Sequence, residues 1–307
     1  MKPNFSYSHA KAHLLGEHSV VYGYPAIIAP LLGLKNQVKI KSSNEILITS
    51  NNFSGNLEQL RYRFSGIYLL IKALLDFFDE PDLKFNLDVK SNVPAKKGLG
   101  SSAAYAVAIT KAFFKYFNYQ GNKKEIFTFS QIEENKNHGH SSGGDTYATI
   151  SNKPIFFDSN KNSTLLKLKK KIYLIIADSG TYGSTLEAVK LVGDNFNRDP
   201  KKYGAIFKKM GEIANQGKEL LLVGKLKKFG KLMNKNQIFL KKLGVSTPYL
   251  EKLVQVANSA GALGAKLSGG GLGGCIVALS DSQEKADKIQ KKLNEAGAYG
   301  TWKSKIL

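Results

Sequence analysis

Apolar and polar residues alternate between positions 84 and 90, which places Phe85, Leu87 and Val89 on one face. A period of two is typical of a half-buried β-strand. Pro94 follows shortly afterwards and ends the pattern. We therefore predict one strand here, with a single face against a core.

Several longer segments carry apolar residues at helical spacing. The predicted helices are Ala103–Phe117, Thr185–Val192, Lys201–Ala214, Tyr249–Ala260 and Ser282–Ala296. The predicted buried strands are the continuous apolar runs Tyr173–Ala177 and Cys275–Leu279. Two polar stretches, Ser42–Gly55 and Asp158–Ser163, are predicted loops. Strands, long helices and glycine-rich connections together indicate the α+β class.

The length favours two domains, since the chain has 307 residues and a domain holds about 150. A charged run at residues 167–171 precedes the predicted buried strand at Tyr173. We therefore expect an N-terminal domain over residues 1–170 and a C-terminal domain over residues 171–307.

The composition is that of an ordinary globular protein, with 42% hydrophobic and 22% charged residues. Cys275 is the single cysteine, so an intrachain disulfide is impossible and a reducing compartment is favoured. The N-terminus lacks the layout of a signal peptide, and the early apolar stretch Ala26–Leu34 is shorter than the roughly 20 residues that span a bilayer. We expect a soluble, cytoplasmic protein without a membrane partner.

The formal net charge of +21 leaves two interpretations open. A nucleic-acid-binding protein would carry such a charge, and so would a lysine-rich enzyme with an anionic substrate. The lysines are spread along the chain, and aromatic residues do not interleave with them in a stacking pattern. This distribution favours a general attraction of anions such as ATP.

The stretch Gly98–Ala103, with the sequence GLGSSA, is typical of a phosphate-binding loop. Glycines let the backbone approach an anion, and the first turn of a helix offers unpaired N–H groups and the positive end of a dipole. The stretch is not a Walker A loop, because the Gly-Lys-Ser/Thr ending is missing, and its glycine spacing differs from the dinucleotide fingerprint. An ordinary helix cap after a turn is the alternative.

Two further stretches combine glycine with polar residues. Ser268–Gly274 holds five glycines in seven positions, which favours a close approach of the main chain to a ligand or to another backbone. A flexible linker is the alternative, although a helix and an apolar strand flank the stretch. Lys11–Pro25 encloses Glu17 and His18 among apolar residues, so these two need partners or a ligand.

The stretch His138–Asp145 holds two histidines and an aspartate. The histidine pair is a weak metal candidate because no third ligand has metal-like spacing, so a loop that presents Asp145 is the favoured interpretation. Glu133 and Glu134 lie just upstream on a predicted helix. Either can bring a carboxylate to Mg²⁺, which prefers oxygen ligands, and an ordinary solvated acidic pair is the alternative.

Together and in this order, the four stretches resemble the signature motifs of the GHMP kinases, named for galactokinase, homoserine, mevalonate and phosphomevalonate kinases. The likeness spans the chain from Lys11 to Cys275. It is nearest to the mevalonate kinases, whose GEHxVVxGxPA motif matches Gly16–Ala26. Galactokinases carry Thr-Asp-Tyr after Gly-Glu-His, and this chain has Ser-Val-Val there, so galactose is not expected as the substrate.

The resemblance implies a two-domain α+β architecture, with an N-terminal domain like domain 2 of ribosomal protein S5 and a ferredoxin-like C-terminal domain. It implies transfer of the ATP γ-phosphate to the 5-hydroxyl of mevalonate in isoprenoid biosynthesis, with Mg²⁺ as cofactor. The protein would be a monomer or homodimer that binds no nucleic acid. Another GHMP kinase, such as a phosphomevalonate or homoserine kinase, is the alternative, and a non-catalytic basic RNA-binding protein is a remote one.

The resemblance also implies a role for each matching residue. The expected roles are catalysis for Asp145 and Lys11, mevalonate contact for Glu17 and His18, and Mg²⁺ coordination for Ser102 and Glu134. Glu134 is preferred over its neighbour because it lies eleven residues before Asp145, as in the family. The expected ATP-binding residues are Lys97, Gly98, Leu99, Gly100, Ser101, Ser102, Gly269, Gly270 and Gly271.

The sequence departs from the family pattern in three places. His9 and Ala10 replace the usual Pro-Gly before Lys11, and Ser141 replaces the usual proline before the catalytic aspartate. The third motif reads SGGGLGG instead of TGAGGGG. None of these changes removes an expected catalytic group, but they leave the loop geometry and the register of Lys11 open.

Overall fold

A computed structural model describes residues 5–138, 142–160 and 162–307. The contacts divide the chain into two compact units, each assembled from separate segments. The first unit consists of Met1–Ala10, Leu34–Val93 and Gly100–Ile150, and the second unit consists of Lys11–Gly33, Pro94–Leu99 and Ser151–Leu307. The predicted domain boundary near residue 170 was inferred from the charge pattern, and it stays a prediction.

The elements are numbered along the chain. The strands are β1 (Phe5–Leu15), β2 (Ala26–Ser42), β3 (Leu47–Ser50), β4 (Phe53–Gly55), β5 (Phe85–Ser91), β6 (Ile155–Phe157), β7 (Ser163–Leu165), β8 (Ile172–Asp178), β9 (Gly264–Ser268), β10 (Cys275–Ser280) and β11 (Gly300–Ile306). The helices are α1 (Leu57–Arg63), α2 (Ser65–Phe77), α3 (Ser101–Tyr116), α4 (Lys123–His138), α5 (Gly144–Ile150), α6 (Thr185–Arg198), α7 (Pro200–Leu222), α8 (Leu226–Lys242), α9 (Pro248–Ser259) and α10 (Gln283–Glu295).

The core of the first unit forms between a sheet and the helices α2 to α4. The strand predicted from alternation is β5, and its three apolar side chains are buried as predicted. It pairs antiparallel with residues 36–42 of β2 and parallel with β3. Phe85 of β5 meets Phe113 of α3 edge to face, with ring centroids 5.5 Å apart. This packing anchors α3, which begins with the two serines of the predicted phosphate-binding loop.

In the second unit, four antiparallel strands lie in the order β11-β8-β10-β9. Counted along the chain, these are strands 4-1-3-2, and helices separate the first from the second and the third from the fourth. This β-α-β-β-α-β arrangement is the ferredoxin-like fold. The predicted α+β class and the ferredoxin-like C-terminal domain are therefore confirmed. Ser268 pairs with Cys275, so residues 269–274 close a hairpin and are not a flexible linker.

The five predicted helices and two predicted buried strands are confirmed, with ends that differ by a few residues or, for α6 and α7, extend further. The prediction that Ser42–Gly55 is entirely a loop is wrong, because β3 and β4 lie within it. Ile48 explains the error: it ends a short apolar run, Ile46–Ile48, inside the polar stretch, and its side chain is buried where β3 pairs with β5. In the second polar stretch, Ser163 begins β7.

Two features bear on the environment of the chain. Among the residues that the structure describes, no helix is both long and apolar enough to cross a bilayer. Cys275 is buried, and burial followed by the nearby charge of Asp178 raises the pKa of its thiol well above the usual range. The thiolate form that reacts with oxidants is therefore suppressed.

Candidate active site

The turn before α3 has the backbone shape that its glycines were predicted to provide. Gly98 and Gly100 have φ angles of 76° and 66°, in the region that favours glycine. Gly100 is the N-cap residue of α3, and no side chain in the described part of the chain caps this helix. The N–H groups of the first helical turn and the positive end of the helix dipole are thus suited to an anion.

The two glycine-rich stretches contact each other in the second unit. A Cβ atom added to Gly269 would lie 2.7 Å from the Cα atom of Gly98, and one added to Gly98 would lie 2.8 Å from the carbonyl oxygen of Ser268. Lys11 joins the same place, since its Nζ donates to the Gly98 carbonyl at 3.3 Å and its backbone N–H donates to Leu99 at 2.9 Å. The structure therefore brings Lys11 together with parts of both predicted ATP-binding stretches.

The predicted Mg²⁺ ligands lie together in the first unit. The hydroxyl of Ser102 is 2.6 Å from Glu134 Oε1 and 2.5 Å from Glu133 Oε2, and both carboxylates are buried. A serine hydroxyl has one proton to donate, so it cannot donate to both carboxylates at once. A divalent cation among these oxygens would remove the conflict, and Mg²⁺ prefers such ligands. The residues present therefore fit a magnesium ion.

Ser102, Glu133 and Glu134 would supply only some of the ligands that the ion needs. Among the described residues, no group of three or more histidine, cysteine, aspartate or glutamate side chains is placed to hold a metal. Mg²⁺ commonly keeps waters and binds through one or two carboxylates together with substrate phosphates. The arrangement is suited to a metal that arrives with a nucleotide.

Asp145 lies in the first turn of α5, so the prediction of a loop at this position is wrong. A carboxylate is favourable there because the N-terminus of a helix carries partial positive charge. The rings of Tyr147 and Phe127 stack with centroids 4.2 Å apart, which fixes α5 against α4 within the first unit. The histidine pair that was considered as a metal site is His138 and His140, and the structure describes the side chain of neither.

Glu17 is buried with a partner for each of its carboxylate oxygens. Its Oε1 forms an ion pair with Lys266, and its Oε2 accepts a hydrogen bond from Asn236 Nδ2 at 3.1 Å. All three side chains are at most 2% exposed. The predicted contact of Glu17 with a substrate stays a prediction, and the partners within the chain give the carboxylate a structural role as well.

His18 sits at the centre of a strained turn. Its φ of 60° and ψ of −50° are rare for a residue with a side chain. The N–H of Ser19 donates to the carbonyl of Glu17 at 2.7 Å, which makes Glu17–Ser19 a γ-turn of the uncommon positive-φ type. Such strain costs on the order of 1–3 kcal/mol and persists only where the surroundings impose it.

The ring of His18 is fixed by the glycine-rich hairpin. Its Nε2 lies 2.8 Å from the carbonyl oxygen of Gly270. Because a carbonyl only accepts, Nε2 carries a proton, and the neutral ring leaves Nδ1 as an acceptor. Burial lowers the pKa of His18, and the hydrogen bond to Gly270 opposes this effect only in part. The ring is therefore neutral at pH 7.

The lowered pKa of His18 predicts a loss of stability in mild acid. Below about pH 6.5 the unfolded chain binds a proton at this residue that the folded protein does not, so stability falls as the pH falls. We expect the difference in free energy of unfolding between wild type and His18→Gln to shrink from pH 7.5 to pH 5. Urea unfolding at a series of pH values measures it, and a difference that stays constant across this range contradicts the assignment.

Lys97, predicted to bind ATP, is engaged within the second unit. Its Nζ lies 3.0 Å from Asp178 Oδ1 and 4.7 Å from the ring centroid of Tyr182, and it also donates to the carbonyl of Thr181 at 3.3 Å. Asp178 is buried at the end of β8. These contacts hold the residue that precedes the phosphate-binding turn, whereas its contact with ATP stays a prediction.

The sequence analysis did not identify Lys266, Asn236 or Asp178 as residues of the candidate site. Lys266 did carry a recognisable pattern, because it is a charged residue inside a short apolar strand that leads into a glycine-rich stretch. Asn236 lies on α8 among many polar residues, and nothing in its local sequence separates it from them. Asp178 directly follows the predicted strand Tyr173–Ala177, which is a common place for an acidic residue.

Two family models match the chain. The family described as "GHMP kinases N terminal domain" matches residues 67–153, and the one described as "GHMP kinases C terminal" matches residues 218–298. The first match includes the predicted phosphate-binding serines, the acidic pair and Asp145. The second includes Lys266 and the glycine-rich hairpin.

Curated relatives and a solved structure cover nearly the whole chain. A protein of Pyrococcus furiosus named "Mevalonate kinase" is 33% identical over 90% of this chain and 89% of its own length. A protein of Methanocaldococcus jannaschii with the same name is 33% identical over 93% of this chain and 94% of its own length. The crystal structure of "L. major mevalonate kinase in complex with R-mevalonate" has a TM-score of 0.85 and 27% identity, and covers 98% of this chain and 95% of that one.

Proposed function

We propose that this chain, which belongs to the GHMP kinase family, is a mevalonate kinase that transfers the γ-phosphate of ATP to the 5-hydroxyl of mevalonate. As a member of this family, it is an ATP-dependent small-molecule kinase. The choice of mevalonate is supported by the Gly16–Ala26 motif and by the names of relatives that match over about nine tenths of the chain.

One observation carries the proposal: parts of three separate stretches meet within the second unit. Lys11 donates to the Gly98 carbonyl, Gly98 packs on Gly269, and His18 bonds to Gly270. A lysine and a strained histidine thus lie at two adjoining glycine-rich loops, and this arrangement supports a phosphate-binding role for the Gly98 turn. Phosphoryl transfer needs such positioned groups, because catalysis there consists mainly of orientation and charge neutralisation.

The ATP phosphates would bind to the turn Gly98–Ser102 and to the first turn of α3. Gly269–Gly271 would also bind ATP, since Gly269 packs against Gly98 within the second unit. Ser102 and Glu134 would hold Mg²⁺, with Glu133 close enough to assist. When bound, Mg²⁺ supplies positive charge to the phosphate oxygens during transfer. The backbone N–H groups of the helix start would bind the same oxygens, which keeps the phosphates in one orientation.

Asp145 and Lys11 would act on the acceptor alcohol. The carboxylate of Asp145 would orient the hydroxyl and accept its proton, and the ammonium of Lys11 would favour the ionised carboxylate and stabilise negative charge as it develops. His18 offers a neutral Nδ1 as an acceptor for a substrate hydroxyl. The 5-hydroxyl oxygen forms the new bond to phosphorus, ADP leaves, and the hydroxyl proton goes to the carboxylate.

We also propose that the reaction takes place in the cytoplasm and that the protein acts as a monomer or homodimer without a nucleic-acid partner. A chain with one cysteine cannot form an intrachain disulfide, which supports a reducing compartment.

Release of ADP that depends on mevalonate tests the proposed function. The purified protein is incubated with ATP, MgCl₂ and one acceptor at a time: mevalonate, phosphomevalonate, homoserine or galactose. We expect turnover with mevalonate, and rates near the acceptor-free background with the other three. Turnover of phosphomevalonate or homoserine in the absence of mevalonate turnover would replace the substrate assignment, and no turnover with any acceptor would contradict the proposed function.

A further inference from the structure

Lys266 is a charged residue in the middle of a buried strand. All five residues of β9 are buried, and the side chain of Lys266 is 0% exposed. A buried ammonium group is unfavourable unless it is paired and hydrogen-bonded. None of the roles proposed above for the reaction uses this residue.

The amine of Lys266 has a full set of acceptors, all within the second unit. Its Nζ pairs with Glu17 and donates to the carbonyl oxygens of His13, at 3.3 Å, and Leu267. An ammonium group has three N–H donors, so these three oxygens satisfy it. Burial, followed by the nearby charge of Lys11, lowers the pKa of Lys266, whereas the ion pair with the Glu17 carboxylate favours its charged form.

The strand that carries Lys266 is fixed on both sides. On one side β9 pairs with β10. On the other side α8 supplies acceptors to its backbone, since Ala265 N–H donates to Asn234 at 2.8 Å and Leu267 N–H donates to Gln237 at 2.9 Å. The strand that carries Lys266 is therefore held in place by both β10 and α8.

The strand β9 lies against the strained turn at His18. Lys266 holds the carboxylate of Glu17, the residue before His18, while the Gly270 carbonyl holds the His18 ring. Both contacts come from one β9–β10 hairpin, because Lys266 lies on its first strand and Gly270 in its loop. The hairpin thus holds the turn through the side chains of two consecutive residues, Glu17 and His18.

We propose that Lys266 is a positioning residue, which acts through Glu17 to hold the strained turn and the His18 ring in the orientation that binds the acceptor alcohol. This inference rests on the proposed function, since it assigns His18 to the acceptor. Without Lys266 the γ-turn relaxes to a less strained backbone, and the His18 ring moves relative to the glycine-rich hairpin. A displacement of about 1 Å in a catalytic site can cost about 100-fold in rate.

The test compares Lys266→Met, Glu17→Gln and the double variant with wild type, using urea midpoints and kcat/KM for mevalonate. Each single variant leaves a buried charge without its partner, so we expect a lower urea midpoint. The double variant is neutral and retains an acceptor for Asn236, so its midpoint should return towards wild type. Lys285→Met, which removes an exposed pair with Asp281, is the matched control and should change neither quantity.

The activity of the double variant decides whether Lys266 positions the His18 turn or only stabilises the fold. We expect its kcat/KM for mevalonate to stay roughly 10- to 100-fold below wild type, although its stability has recovered. We also expect all three variants to lose activity by similar factors, because the two residues act as a unit. Near-normal activity in the double variant would show that the pair only stabilises the fold, and would overturn the proposal.

A second outcome would also overturn it. If Glu17→Gln loses activity and Lys266→Met does not, Glu17 acts as a substrate ligand without help from Lys266. Failure of the proposed function is distinguishable from both outcomes, because it appears in wild type as an absence of mevalonate-dependent ADP release. If wild type uses another alcohol, the same five proteins are compared with that alcohol.

Discussion

Asp145→Ala is expected to lower kcat by roughly 10²- to 10⁴-fold, the range that a positioned acid or base contributes. The side chain lies at the start of α5, and the packing of α5 against α4 through Tyr147 does not depend on it. The fold should therefore survive the change. ADP release with saturating mevalonate and ATP measures kcat, and the urea midpoint measures stability.

Two further variants, Asp145→Asn and Asp82→Ala, are measured for comparison with Asp145→Ala. Asp145→Asn keeps the shape of the side chain and removes its ability to accept a proton, so its loss should approach that of the alanine variant. Asp82 is an exposed acidic residue of the first unit, and Asp82→Ala controls for the loss of one negative charge. A rate for Asp145→Ala within tenfold of wild type, in a folded protein, would remove Asp145 from the catalytic role.

Glu134→Gln is expected to raise the half-saturating Mg²⁺ concentration by at least about tenfold, since even an outer-shell partner of a metal is worth 10- to 100-fold in affinity. The reason is the loss of a negatively charged oxygen beside the Ser102 hydroxyl. Titration of kcat with MgCl₂ measures the effect, and EDTA should abolish turnover in wild type and variant alike.

Glu133→Gln is the matched comparison for this prediction. Both carboxylates reach the same hydroxyl, and a Cβ atom on Gly66 of α2 would lie 3.1 Å from Glu133 Cγ, so Glu133 is closely packed. We expect the larger shift in Mg²⁺ requirement for Glu134→Gln and the larger loss of stability for Glu133→Gln. The reverse order would transfer the main ligand role to Glu133, and no shift for either would contradict a metal site here.

Much of the fold follows from periodicity, and this is where the sequence predicted well. The alternation at Phe85, Leu87 and Val89 gave β5, and the apolar run from Tyr173 gave β8. Prediction failed where burial is decided by a partner strand. The apolar run Ile46–Ile48 is too short to predict a strand by itself, and β3 forms because Ile48 pairs with Leu87 of β5.

For the candidate site, the sequence by itself determined which residue types are present and their order along the chain. The Gly98 turn, the acidic pair before Asp145 and the Gly16–Ala26 motif are local patterns, since helix starts and tight turns depend on neighbouring residues. Tertiary structure decided that Lys266 meets Glu17 across 249 positions and that Gly270 fixes His18 across 252. These contacts depend on where the β9–β10 hairpin packs against Glu17 and His18 in the fold, and packing over such a separation leaves no trace in either local sequence.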